Sequence, residues 1–142
     1  MKFILLLFLV LFAGSGHPQS TDANTLKITI TNIKKVKGSL ELGIFNNPKL
    51  FLEKNKAFKN ISEKINKDTM IVILSGLKKG DYAIALYQDL NSDHTCNMNF
   101  LGIPTEPYGF SRNFKPVLSK PTFNDCKISL NENKSITIKL VD

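Results

Sequence analysis

The sequence contains none of the short motifs that identify common catalytic sites. Gly-x-Ser-x-Gly, His-Glu-x-x-His and phosphate-binding loops are all absent. The only histidines are His17 and His94, and His94 with the nearby Cys96 lacks the additional ligands that a zinc site requires. These absences favour a protein that is not an enzyme.

Long apolar runs are absent except at the N-terminus. Residues 3–12 form one such run, which follows Lys2 and ends in the small residues 13–16. This order of a positive charge, an apolar core and small residues is typical of a secretory signal peptide. The run is too short to span a bilayer well, and no later run is long enough. The alternative is a retained membrane anchor.

We therefore expect an exported protein with one domain. The signal peptide would occupy residues 1–20, with cleavage between residues 16 and 23, and the domain would occupy residues 24–142. The expected location is the periplasm or the outside of the cell. We expect a monomer with no transmembrane segment after cleavage, and its partner would be an unknown ligand or envelope protein.

Basic residues are numerous, but they do not form a nucleic-acid-binding pattern. Removal of residues 1–20 takes away only Lys2 and lowers the net charge from +7 to +6. The lysines are scattered through predicted turns and strand ends, and no aromatic residues alternate with them. We expect a solvated basic surface and no nucleic-acid partner.

The chain also lacks any ten-residue helical period, whereas alternation of apolar and polar residues recurs. This pattern, with frequent turn residues, predicts an all-β fold, an antiparallel seven-stranded Greek-key β-sandwich of the prealbumin-like or immunoglobulin-like kind. The first two strands are predicted to form one hairpin and the last two another. The predicted strands are Leu26–Ile33, Ser39–Phe45, Ala57–Ile65, Thr69–Leu74, Tyr82–Gln88, Cys126–Leu130 and Ser135–Leu140.

Tyr82 stands at the start of a predicted strand, directly after a turn at Gly80. A tyrosine in this position can return its hydroxyl group to upstream backbone, as in the tyrosine corner of β-sandwiches. The alternative is an ordinary hairpin turn.

The stretch from Gly80 to Ser111 contains no Lys or Arg and carries four acids, which favours a cation site. Oxygen-bearing side chains recur at the spacing of a calcium loop. However, His94 stands where such a loop needs Gly, and Phe100 where it needs a bidentate acid. The alternative is that these Asp and Asn residues only form turns. The candidate calcium ligands are Asp89, Asn91, Asp93 and Asn97.

The second half of the same stretch is rich in residues that restrict or relax the backbone. Gly102, Pro104 and Gly109 would hold it in one shape. Tyr108 and Phe110 either contact a sugar or peptide or fold over the core.

Two cysteines, Cys96 and Cys126, remain for pairing. An even count in an exported protein favours a disulfide between them, and two unpaired thiols are the alternative.

Three segments of the chain form a specific combination. They are Leu77-x-x-Gly80-x-Tyr82-Ala83, Asp89-x-Asn91, and Gly102-Ile103-Pro104-Thr105-Glu106-x-Tyr108-Gly109-Phe110-Ser111. Together they resemble a family of exported bacterial proteins known as a domain of unknown function. In the loop, Asp93, His94, Cys96 and Asn97 replace the family's Asn, Gly, Leu and Asp. The resemblance implies a signal peptide, a prealbumin-like or immunoglobulin-like sandwich and no established activity, and Cys96 suggests a disulfide with Cys126.

Our leading hypothesis is an exported module that binds a ligand or partner through residues 89–111, with or without structural calcium. One alternative is a hydrolase that uses Glu106 and Asp89 as a carboxylate pair. Another is a purely structural envelope protein. The candidate contact residues are Asp89, Asn91, Asp93, Glu106, Tyr108 and Phe110.

Overall fold

The computed structural model describes residues 23–117 and 119–142. The predicted signal peptide lies outside these residues. No helix in the described ranges is long and apolar enough to cross a membrane.

Eight strands make up slightly less than half of the described chain, and the helical segments are short. Two 3-10 turns cover Pro48–Leu50 and Ser111–Asn113, and the helix α1 covers Phe123–Cys126. The strands are β1 (Ala23–Thr31), β2 (Ser39–Phe45), β3 (Lys59–Lys64), β4 (Met70–Lys78), β5 (Gly80–Asp89), β6 (Tyr108–Phe110), β7 (Ile128–Leu130) and β8 (Lys134–Lys139).

These strands form two sheets. The three-stranded sheet has the order β4-β1-β8, and β1 is antiparallel to β4 but parallel to β8. The five-stranded sheet has the order β3-β2-β5-β6, and β7 pairs with the first residues of β5. The all-β prediction is confirmed. The strands number eight rather than seven, one pair is parallel, and the Greek-key connectivity stays a prediction.

One apolar core lies between the sheets, and its residues are those that the alternation selected. Leu26, Ile28 and Ile30 of β1 are fully buried, as the sequence predicted. Leu40 and Ile44 of β2 are buried in the same core. Alternation therefore predicted correctly which face of β1 and of β2 turns inward.

Both predicted hairpins are wrong. β1 lies in the three-stranded sheet and β2 in the other, and β8 and β7 are separated in the same way. The connection at residues 32–38 is long enough to cross the roughly 10 Å between packed sheets. Alternation reports which face is buried but carries no information about the partner strand, so it cannot tell a hairpin from a crossover.

Strand β5 is buried on both faces. Tyr82, Ile84 and Leu86 pack in the core between the sheets, whereas Ala83 packs in a second cluster on the opposite face, with Ala85 against it. Small residues on one face and large residues on the other predicted a central strand, and β5 lies between β2 and β6.

The second cluster is mainly aromatic. The rings of Phe45 and Phe51 meet edge to face with centroids 5.3 Å apart, and those of Phe51 and Phe123 do so at 6.0 Å. Phe110 and Cys126 complete its buried part.

The tyrosine corner is confirmed. The hydroxyl group of Tyr82 donates a hydrogen bond of 2.9 Å to the carbonyl oxygen of Lys78. Gly80, with a φ of 156°, forms the turn between the two residues.

The predicted disulfide is not formed, because Cys96 and Cys126 are both free. The Ser111 hydroxyl group contacts the backbone of both Ile84 and Cys126, which places Cys126 beside the middle of β5. Cys96 lies in the loop beyond Asp89. The five residues from Ile84 to Asp89 extend about 16 Å, whereas a disulfide needs Cα atoms within about 7 Å.

Candidate functional site

The connection from β5 to β6, residues 90–107, begins at a buried carboxylate. Asp89 ends β5 and is fully buried. Its carboxylate accepts hydrogen bonds from the backbone N–H groups of Ser92, at 2.7 Å, and His94, at 2.9 Å. Bonds of this kind to a charged acceptor are stronger than neutral ones. Asp89 therefore fixes the first turn of the connection.

Glu106 fixes the other side of the same loop. Its buried carboxylate accepts from the backbone N–H of Leu90 at 2.9 Å and from that of Asn97 at 3.3 Å. Asp89 and Glu106 thus use their oxygens to hold the loop's own amides. These hydrogen bonds stabilise both buried carboxylates without neutralising their charge, and among residues 23–117 and 119–142 neither acid forms an ion pair with Lys or Arg.

Three of the four predicted calcium ligands meet on the exposed side of the loop. The Asp93 carboxylate accepts from the side-chain amides of Asn91, at 2.8 Å, and Asn97, at 3.0 Å. Together with the Thr95 amide, these hydrogen bonds lower the pKa of the Asp93 carboxyl group, the bond from Asn97 most of all. Asp89, the fourth residue, is directed to backbone amides instead. The turn-forming role that was the alternative to metal binding is present here, since Asp93 also caps the amide two residues later.

The distal part of the loop folds back on itself. Met98 and Pro104 form an antiparallel bridge, and the Thr105 amide donates to the Asn97 carbonyl oxygen at 2.8 Å. The Asn99 side chain accepts from the amides of Leu101 and Ile103 at 2.9 and 3.0 Å. The segment is therefore held by its own hydrogen bonds, as its Gly and Pro content predicted.

This braced segment ends in an exposed apolar surface, which we call the apolar tip and define as Met98, Phe100, Leu101 and Ile103. Phe100 is 94% exposed, and the other three side chains are exposed as well. The apolar tip was not predicted from the sequence. The signal was present as four large apolar residues within six positions of an otherwise polar loop, but nothing in the pattern shows that they point outward.

A second group of side chains lies where the loop passes over β2. The Nδ1 atom of His94 is 3.6 Å from Oε1 of Glu41 and 3.9 Å from Oδ2 of Asp89. Glu41 was also missed. It stands opposite Tyr87 in the pairing of β2 with β5, and such long-range pairing is not readable from the sequence.

The remaining predicted residues contribute to the packing and the turns of the fold. Phe110 is buried in the aromatic cluster, and Tyr108 is half-buried against it, so both pack on the face of β5 opposite the core between the sheets. Gly109 lies so close to Ile138 that an added Cβ would approach its Cγ2 atom to 2.8 Å. Gly102 has a φ of 75°, which glycine adopts without strain.

Of three comparisons with known proteins, one gives a match, and that match is to a family. The comparison with curated proteins found no match, and neither did the comparison with solved structures. One family description matches residues 28–139, which include every strand from β2 to β8, the last four residues of β1 and the whole loop. The chain therefore belongs to the bacterial family described as "Uncharacterized protein conserved in bacteria (DUF2141)".

Proposed function

We propose that this protein is a non-enzymatic, exported binding module and that the apolar tip is its binding element. The observation that carries the proposal is the exposure of Phe100, which is 94% exposed on a segment braced by hydrogen bonds. Large apolar side chains grouped on one protruding segment are typical of interaction sites.

The energetics favour binding by insertion. Burying one Phe or Leu side chain contributes about 1.5–3 kcal/mol. Because Asn99 and the bridge from Met98 to Pro104 already order the segment, little conformational entropy is lost when a partner covers it. The apolar tip is therefore preorganised, and this favours affinity for a partner.

The charge around the tip indicates the chemistry of the partner. No Lys or Arg occurs between Gly80 and Ser111, and Asp93 is exposed in the same loop. An anionic membrane surface would be repelled by this loop rather than attracted. A protein with an apolar pocket and a neutral or basic rim fits better.

Calcium binding would be a separate property, additional to binding through the apolar tip. A half-turn of an amide side chain exchanges its nitrogen and oxygen atoms. Asn91 and Asn97 could therefore present oxygens to an ion bound by Asp93. Three side-chain oxygens are about half of the six to eight that calcium takes, and Asp89 is not part of this group. The tip does not depend on calcium for its hydrogen bonds, and the proposal does not require the ion.

The other two functions receive less support. A hydrolase would need the carboxylates of Glu106 and Asp89 for substrate, yet both bind backbone amides of the loop. A purely structural envelope protein would not need an exposed, preorganised apolar segment.

Site-specific photo-crosslinking in the bacterial envelope tests the proposal. Benzoylphenylalanine at position 100 should give one discrete protein adduct, and excess unlabelled wild-type protein should compete for it. The matched control is position 117, where Val117 is 88% exposed but lies outside the loop. Competition with the Phe100→Ser variant should fail. No adduct at position 100, or the same adduct at position 117, would overturn the proposal, and crosslinks to lipid alone would assign the tip to membrane binding instead.

A further inference from the structure

We propose that Glu41, Asp89 and His94 form a binding site for one divalent transition-metal cation of the zinc class. Strand β2 supplies Glu41, the end of β5 supplies Asp89, and the loop supplies His94. The site is separate from the apolar tip, so this inference goes beyond the proposed function and does not rest on it.

The distances fit an ion better than direct hydrogen bonds. One ligand atom from each of the three side chains lies within 4.8 Å of the other two. The separations of 3.6 and 3.9 Å from His94 Nδ1 to the two carboxylates exceed hydrogen-bond length. In a tetrahedral zinc site with bonds of about 2.0–2.1 Å, ligand atoms are about 3.3 Å apart. The two distances from His94 are close to this separation, and the Glu41 and Asp89 ligand atoms lie within 4.8 Å of each other.

The charge balance is an independent indication of a cation. Asp89 is fully buried, and the Glu41 side chain is only 17% exposed. Within residues 23–117 and 119–142, neither carboxylate has an ion pair with Lys or Arg, and His94 is the one group facing both that can become positive. Buried carboxylates are normally paired with a cation or bound to a metal.

The ligand atoms are held in place before any ion arrives. Glu41 Oε1 accepts hydrogen bonds from the hydroxyl groups of Ser39, at 2.7 Å, and Ser62, at 2.6 Å. Asp89 is oriented by two loop amides, as described above. Hydrogen bonds of this kind orient metal ligands and sharpen affinity. The imidazole of His94 is 71% exposed, so an ion can enter from solvent and water can complete its coordination.

The donor set selects the class of metal. One imidazole nitrogen with two carboxylate oxygens suits zinc and its neighbours, whereas calcium prefers oxygen ligands only and more of them. The exposed Asn91, Asp93 and Asn97 group would show the opposite preference.

Calorimetric titration of the tag-free mature protein with zinc chloride alone tests the site. One equivalent should bind, and His94→Asn and Glu41→Gln should each weaken binding by about tenfold or more. Asn is chosen at position 94 because His94 has a φ of 56°, a conformation that Asn tolerates. Gln keeps an oxygen for Ser39 and Ser62.

Two variants serve as matched controls. Asp93→Asn changes an exposed acid in the same loop, and Cys96→Ser removes the nearby thiol, which is itself a potential zinc ligand; both should bind zinc as the wild type does. Absence of zinc binding, retention of full affinity in His94→Asn, or loss in Cys96→Ser would overturn the proposal. Melting curves of each variant without zinc establish that it is folded, and the position-100 crosslink reports on the apolar tip independently.

Discussion

Strand β5 is held at its two ends by different chemistry. At the first end, the Tyr82 hydroxyl group bonds one backbone carbonyl, and α1 and the aromatic cluster pack alongside. At the other end, the Asp89 carboxylate receives two backbone amides and Glu106 receives two more. A neutral bond within a packed apolar region holds the first end, and buried charge holds the second.

This difference explains how a long loop keeps one shape with little apolar packing of its own. Charged acceptors give stronger hydrogen bonds than neutral ones, and removal of a buried acceptor leaves amides without partners. The Tyr82 end should therefore tolerate substitution better than the Asp89 end. Because hydrogen bonds hold the loop, its apolar residues are not needed for packing and can lie exposed at the tip.

The largest effect is expected from Asp89→Ala. The variant loses two charge-assisted hydrogen bonds and leaves the amides of Ser92 and His94 without their acceptor. We expect the free energy of unfolding to fall by about 3 kcal/mol, measured by urea denaturation. The control is Asp93→Ala, an exposed acid in the same loop, which should cost less than about 1 kcal/mol. Equal losses in the two variants would remove the distinction between buried and exposed carboxylates.

An intermediate effect is expected from Tyr82→Phe at the other end of β5. It removes only the bond to the Lys78 carbonyl oxygen, so stability should fall by about 1 kcal/mol. Tyr108→Phe is the control, because no hydrogen bond from its hydroxyl occurs among the described residues, and it should change stability by less than about 0.5 kcal/mol. If Tyr82→Phe costs more than Asp89→Ala, the comparison between the two ends is reversed.

The smallest effect at neutral pH is that of the two thiols, Cys96 in the loop and Cys126 beside the middle of β5. Burial raises the pKa of Cys96 to about 11, with a further contribution from Glu106, and burial raises that of Cys126 to about 12. Between the unfolded pKa near 8.5 and these values, the unfolded chain binds fewer protons than the folded one. Stability should therefore be unaffected by the thiols below about pH 8.5 and should decline progressively as the pH rises from there towards 11.

Alkylation followed by mass spectrometry checks the thiols directly. Both should react after denaturation, and in the folded protein at pH 8 half-buried Cys96 should react slowly and buried Cys126 more slowly still. The Cys96→Ser variant should retain only the slower reaction. A mass lower by two hydrogens, with no reactive thiol, would restore the disulfide that the sequence favoured.

Much of the fold was predictable because burial leaves a period of two in the sequence. Ser39–Phe45 was located with its correct bounds, and the buried faces of β1 and β2 were identified residue by residue. Strand β6 was missed because three residues, Tyr108–Phe110, are too few to show alternation. Within the candidate site, Gly102 and Pro104 predicted a distal segment held in one shape, and this segment folds back on itself through hydrogen bonds. The spacing of Asn91 and Asp93 predicted that their side chains meet, and they do.

By itself, the sequence determined the all-β class, the inward faces of β1 and β2, the tyrosine corner and the place of the irregular loop. These features depend on neighbours in the chain, and local patterns record them. The tertiary structure alone decided that β1 pairs with β4 and β8, that Cys96 and Cys126 are unpaired, and that Glu41 meets His94. The exposure of Phe100 belongs to the same group, because whether an apolar side chain is buried depends on what distant parts of the chain bring against it.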